Sequence, residues 1–178
     1  MRRVLSVLVF LSVAAAMTFA QGGDQKAPAS PPATASQTFA DGKKVTIDYS
    51  RPSARGRKIM GGLVPYGQVW RTGANSATSF TTDADLLIGG TIVPAGKYTI
   101  YSLPGEGAWK LIINKETGQW GTKYDQSKDL ARVDMKVGKT SAPVEQFTIS
   151  FEKSGGGAAT LKLEWENTSV SVDVKEKK

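Results

Sequence analysis

The stretch Leu161-Lys-Leu-Glu-Trp165-Glu-Asn-Thr-Ser169-Val-Ser-Val-Asp-Val174 alternates apolar and polar residues with hardly a break. Leu161, Leu163 and Trp165 point one way, and Lys162, Glu164 and Glu166 the other. Val170, Val172 and Val174 then alternate with Ser169, Ser171 and Asp173. A period of two marks strands with one face buried and one in water. The pattern recurs upstream, in Val45/Ile47/Tyr49, Trp109/Leu111/Ile113, Ala131/Val133/Met135/Val137 and Phe147/Ile149/Phe151. Over 98–103 both faces are largely apolar, as suits a central strand lying under loops. Asp41-Gly42, Gly89-Gly90, Pro94-Ala-Gly96, Pro104-Gly105, Gly155-Gly-Gly157 and Asn167-Thr168 supply turns. The best helical candidate is the short stretch Lys123–Leu130. These features predict an all-β, single-domain fold: an antiparallel two-sheet β-sandwich, with jelly-roll and immunoglobulin-like topologies both open. The last three strands, 146–152, 160–166 and 168–174, are expected to form a meander with Trp165 buried between sheets.

The N-terminus reads differently. Met1-Arg-Arg precedes an apolar run from Val4 to Met17 and the small-residue site Thr18-Phe-Ala20. This is the layout of a secretory signal peptide over residues 1–20, cleaved before Gln21, and its apolar run is short for a membrane span. Residues 21–36 are rich in Pro, Ala, Ser and Gly with almost nothing to bury, and are expected to form a disordered linker. The domain is then placed at 37–174, with a charged tail at 175–178. The expected location is outside the cytoplasm, periplasmic or extracellular.

Composition narrows the chemistry. Loss of Arg2 and Arg3 with the signal peptide lowers the net charge from +7 to +5. That modest excess, with no accompanying motif, does not call for a nucleic-acid partner. The absence of Cys leaves neither disulfides nor a lipidated N-terminus. The absence of His removes Ser-His-Asp and Cys-His catalysis and most zinc and copper sites. No metal or cofactor is expected.

One segment departs from the alternating pattern: Ser50-Arg-Pro-Ser-Ala-Arg-Gly-Arg-Lys-Ile-Met-Gly-Gly-Leu-Val-Pro-Tyr-Gly-Gln-Val-Trp-Arg-Thr-Gly-Ala-Asn75. Its Gly and Pro residues impose turns, so polar and aromatic side chains can converge from a folded loop. Together with Val93-Pro-Ala-Gly-Lys-Tyr98 and Ile113-Asn-Lys-Glu-Thr-Gly-Gln-Trp-Gly121, it resembles the DUF2911 family of exported bacterial proteins, over residues 37 to 174. The resemblance carries no activity over to these residues.

Three groups stand out. In the first, Arg51, Arg55, Arg57 and Lys58 crowd eight positions and form a candidate anion-contacting loop, although such a run also serves as a solvated surface. The second is Tyr66, Trp70, Arg71 and Asn75, to which Trp120 is added from the second loop. With Trp70 packed inward, alternation presents Arg71 outward beside Asn75, and both are expected to line the main polar depression with Tyr66 nearby. The competing reading has Arg71 tied to loop carbonyls or a buried acid, and Trp120 folded back over the end of the sheets. In the third, Glu164 and Glu166 lie roughly 7 Å apart along a strand, which overlaps the spacing of an inverting glycosidase pair, although Lys162, Glu164 and Glu166 read more simply as a solvent face. Ser150-Phe-Glu-Lys153 lacks the helix that its catalytic namesake needs. The expected protein is a non-catalytic module for a glycan or small anionic ligand. A carboxylate-based glycan hydrolase and an envelope scaffold are the alternatives.

Overall fold

Alternation along the chain becomes alternation of burial. The computed structural model describes residues 29–155 and 157–178, so the expected signal peptide and the first part of the linker lie outside the described residues. In β2 (Lys44–Ser50), Val45, Ile47 and Tyr49 are buried while Lys44 and Asp48 are exposed. In the last strand, β9 (Ala158–Glu176), every second residue from Ala159 to Trp165 is buried, and so are Val170, Val172 and Val174. Between them lie β3 (Thr78–Thr82), β4 (Leu86–Ile88), β5 (Thr91–Val93), β6 (Gly96–Leu103), β7 (Trp109–Asn114) and β8 (Asp129–Gly155). The fold is all-β. Among the described residues there is no α-helix, and the stretch expected to be helical holds a single 3-10 turn, Gln126–Lys128.

The strands form one open antiparallel sheet of nine, rather than the two separate sheets expected. With β1 at Pro32–Thr38, its order is β1-β2-β3-β6-β7-β8-β9-β4-β5. The ladder stays continuous because β8 is long. Asp129–Met135 pairs with β7, and the rest of the strand, from Lys136, pairs with β9. One apolar cluster draws residues from all nine strands, so the sheet curls over its own inner face. Tyr49 of β2 meets Phe147 of β8 edge-on, with ring centroids 5.8 Å apart.

Two further expectations are corrected. Pro32–Ser36, assigned to the linker, forms most of β1 (Pro32–Thr38), whose register with β2 runs from Pro32–Ser50 to Thr38–Lys44. Its small side chains suit an outer strand that needs backbone pairing more than bulk to bury, although Ala35 does reach the core. The turn expected at Asn167-Thr168 is absent, and β9 passes straight through it. Glu166 sits there at φ 49°, and the β8 register slips between Lys139 and Val144 and again before Thr148. These irregularities bend the strand pair instead of reversing it, so 168–174 continues β9 and the meander becomes one long bent hairpin.

On the outer face, Tyr101 of β6 pairs across the sheet with Ile112 of β7, and both are buried although neither belongs to the inner core. The loop from 115 to 128 covers Tyr101, whose ring lies 4.9 Å from that of Tyr124. No helix of the described residues is long and apolar enough to cross a membrane.

Candidate functional site

The segment after β2 first runs back along β8. Ala54 N–H donates to Glu145 O at 2.8 Å, and Phe147 N–H to Pro52 O at 2.9 Å. It returns to the sheet at Trp70, which exchanges backbone hydrogen bonds with Ser102 at 2.8 and 2.9 Å. The Trp70 ring stacks on Trp165 at 5.9 Å and meets Phe147 edge-on at 4.9 Å. With Trp70 turned to the core, Arg71 points away from it, as alternation requires.

The next residue is held in an unusual conformation. Thr72 is fully buried at φ 54°, a left-handed backbone that a β-branched side chain adopts at a cost on the order of 1–3 kcal/mol. Its hydroxyl donates to Ser102 Oγ at 3.0 Å, and its carbonyl accepts from Thr78 Oγ1 at 2.8 Å. Asn75 is also left-handed, at φ 61°. Its Nδ2 donates to Ser50 Oγ at 3.3 Å, and its carbonyl accepts the Gly121 N–H at 3.2 Å. A methyl group on Gly121 would press on the Arg71 side chain and lie 2.7 Å from Asn75 O, so the loop after β7 packs directly on the aliphatic part of Arg71.

These contacts frame a depression of about 320 Å³ lined by Trp70, Arg71, Asn75, Arg57, Leu63 and Trp165 among others, with no Asp or Glu in its lining. Trp70, Arg71 and Asn75 are brought together as expected. Tyr66 is not with them. It lines a separate cleft of about 330 Å³ with Met60, Glu106, Trp109, Val137 and Lys139, because its ring folds over Gly61. Trp120 does not fold back over the sheet. It is 54% exposed, and its backbone bridges Ser76 beside Asn75.

The family described as "Protein of unknown function (DUF2911)" has a model that matches residues 30–174. The chain belongs to the DUF2911 family. The match starts at residue 30, so it takes in all of β1. No curated protein and no solved structure matches the chain. In this DUF2911 domain, two of the three segments that carried the resemblance meet at Arg71: Ser50–Asn75 supplies it, and Ile113–Gly121 packs against it through Gly121.

The basic run of the DUF2911 domain does not converge. Arg51 donates to Phe147 O at 3.1 Å and to Thr148 Oγ1 at 2.8 Å, tying the loop to β8. Arg55 reaches Ala29 O at 3.4 Å, and its own amide donates to Glu145 Oε1 at 2.8 Å. Arg57 donates to Ala54 O at 3.0 Å and to Ser53 O at 2.7 Å, and is the one member of the run on the depression. Lys58 is exposed. Consecutive turns aim neighbouring side chains in different directions, so closeness in sequence does not become closeness in space.

Arg71 contrasts with Arg51 and Arg57. Its Nε is buried and has no hydrogen-bond partner among the described residues. Among the described residues neither a carbonyl nor a buried acid meets that Nε, and packing on Gly121 positions the side chain.

The carboxylate pair also separates. Glu164 accepts from Ser169 Oγ at 2.9 Å, while Glu166, at the bend of β9, accepts the Ile59 N–H at 3.3 Å. Sequence reasoning missed a polar cluster on the outer face. There Asp129 accepts from Tyr124 Oη at 2.6 Å, Arg132 Nε at 2.9 Å and Asn114 Nδ2 at 2.9 Å. Burial, reinforced by the bond to Asp129, pushes the Tyr124 hydroxyl up to about 12. The signal was the second apolar face of β6, where Tyr101 anchors the loop by donating to Lys123 O at 2.7 Å.

Proposed function

We propose that this DUF2911 protein is an exported binding module that holds a small anionic ligand in the depression edged by Arg57, Arg71 and Asn75. The observation that carries this reading is Arg71 itself. Its neighbours in the loop give their guanidinium N–H groups to backbone carbonyls, whereas the buried Nε of Arg71 meets no acceptor among the described residues. An arginine on the wall of the depression, its Nε taken by no acceptor of the described residues, is suited to a ligand's carboxylate, phosphate or sulfate. Two arginines and no carboxylate are among the residues that line the depression, which favours anions and gives no acid–base pair for hydrolysis. Its volume lies at the small end of the range for small-molecule pockets, about 300–1,000 Å³. The left-handed Thr72 beside Arg71 is the kind of local strain that accumulates at binding sites.

The test is isothermal titration with acetate, phosphate and sulfate at constant ionic strength. At least one anion should bind, and Arg71→Ala should abolish binding with an almost unchanged melting temperature. A variant that melts several degrees lower and still binds would overturn the reading and make Arg71 a structural residue. Export rests on Met1-Arg-Arg, the apolar run and Ala20. N-terminal sequencing of the protein from envelope or medium should begin at Gln21, and a retained Met1 would refute cleavage.

A further inference from the structure

We infer that the anionic group recognised at Arg71 is carried on a sugar ring, so that the ligand is an acidic saccharide unit with Trp120 as its stacking platform. The inference rests on the reading of the Arg71 depression as an anion site, and adds the class of molecule that bears the anion.

Trp120 leaves 54% of its surface in water. An indole so exposed forgoes on the order of 1 kcal/mol or more of burial unless something covers it. Its loop is not loose. Ala77 N–H donates to Gln119 O at 3.3 Å, Lys123 N–H to Trp120 O at 2.9 Å, and Gln119 Nε2 to Tyr101 Oη at 3.0 Å. The indole is therefore presented by a tied backbone.

The place of presentation matters as much as the exposure. Trp120 bridges Ser76, the neighbour of Asn75, and is followed by Gly121, whose contact positions Arg71. The backbone of Trp120 thus lies within one residue, across the bridge or along the chain, of the contacts made by both polar groups of the depression. Asn75, Ser76 and Thr122 around it are exposed and offer short hydrogen-bonding side chains. An acidic sugar has these three needs: an apolar ring face for C–H contact, hydroxyls that both donate and accept, and one negative group for a guanidinium fork. A second depression of about 170 Å³ shares Trp70 and Arg71 with the first and is lined by Gly121 and Thr122, the two residues that follow Trp120 in the chain.

Titration calorimetry of the purified protein with glucuronate, acetate, glucose and uridine monophosphate tests this. Glucuronate should bind at least tenfold more tightly than acetate, and glucose should give no measurable heat. Trp120→Ala should reduce glucuronate to the affinity of acetate without changing acetate binding, and Arg71→Ala should abolish both. Glucuronate, and not acetate, should shield the exposed tryptophan emission from acrylamide. Equal affinities for glucuronate and acetate, or an unaffected Trp120→Ala, would overturn the sugar assignment while leaving the anion site standing. Uridine monophosphate binding more tightly than glucuronate would replace the sugar with a stacked base. Loss of all binding in the wild-type protein would remove the anion site and this inference together.

Discussion

Trp165 shows what a single residue contributes here. It is 1% exposed, stacks on Trp70 beneath the depression, and donates its indole N–H to Glu145 O at 3.1 Å. Trp165→Ala should cost about 3–5 kcal/mol in chemical denaturation, as for other large aromatic truncations. Glu164→Ala, one position away on the other face, should stay within about 0.5 kcal/mol. Tyr124 gives a pH test. Its folded hydroxyl is held up to about 12, chiefly by burial, above the ordinary value near 10. The folded state therefore keeps a proton that the unfolded chain releases first. This contribution to stability is complete below about pH 10 and is lost as pH rises through about 12. Urea titrations across that range should show Tyr124→Phe losing less stability than the wild type; parallel curves would refute the coupling. At this scale the sequence was informative about faces, as for Trp70, Arg71 and Trp165, and uninformative about Tyr66. Which cavity a loop residue lines depends on the torsions of each turn, and composition does not encode them.

At the scale of elements, the most telling case is the bend in β9. Trp165 and Val170 are both buried although five residues apart, an odd spacing that strict alternation forbids. Such a change of phase has two physical causes, a reversal of the chain or an extra residue within a strand, and both leave the same mark in the sequence. Asn167-Thr168 favoured the first; instead the pairing with β8 slips around Glu166, which is in the left-handed region, and β9 turns its faces over without reversing. Arg51 acts at this scale too, since it pins the segment after β2 to Phe147 and Thr148 of β8. Arg51→Ala should destabilise by about 1–3 kcal/mol, and Arg51→Lys should recover little of that, because a single ammonium cannot reproduce the two-pronged geometry. Denaturant midpoints for the two variants decide it, and full recovery by lysine would mean that charge alone matters.

For the whole molecule, the all-β class and the inward faces were legible, and the number of sheets was not. Periodicity reports which side of a strand is buried, not which strands it bonds to, and β4 pairing with the far end of β9 leaves no local trace. The same blindness hid β1, whose Ala, Ser and Thr composition reads as linker until β2 is seen beside it. A chain beginning at residue 37 should therefore be less stable than one beginning at residue 29, and should self-associate through the bared edge of β2. Calorimetric melting with light scattering measures both effects, and identical behaviour would make β1 dispensable.

The continuity of β8 bears on how the molecule can come apart. A protein assembled from separable layers has a seam, and one layer can breathe or slide while the other holds. Here the strand paired with β7 is covalently the strand paired with β9, so the two halves have no internal seam along which to part. Amide protons of Leu111 and Leu163, on opposite sides of that shared strand, should then exchange with solvent through the same global opening, at one common free energy. The depression over Trp70 rests on Trp165 of β9, a strand held in that same ladder, so occupancy should sharpen exchange protection without moving the strands beneath it.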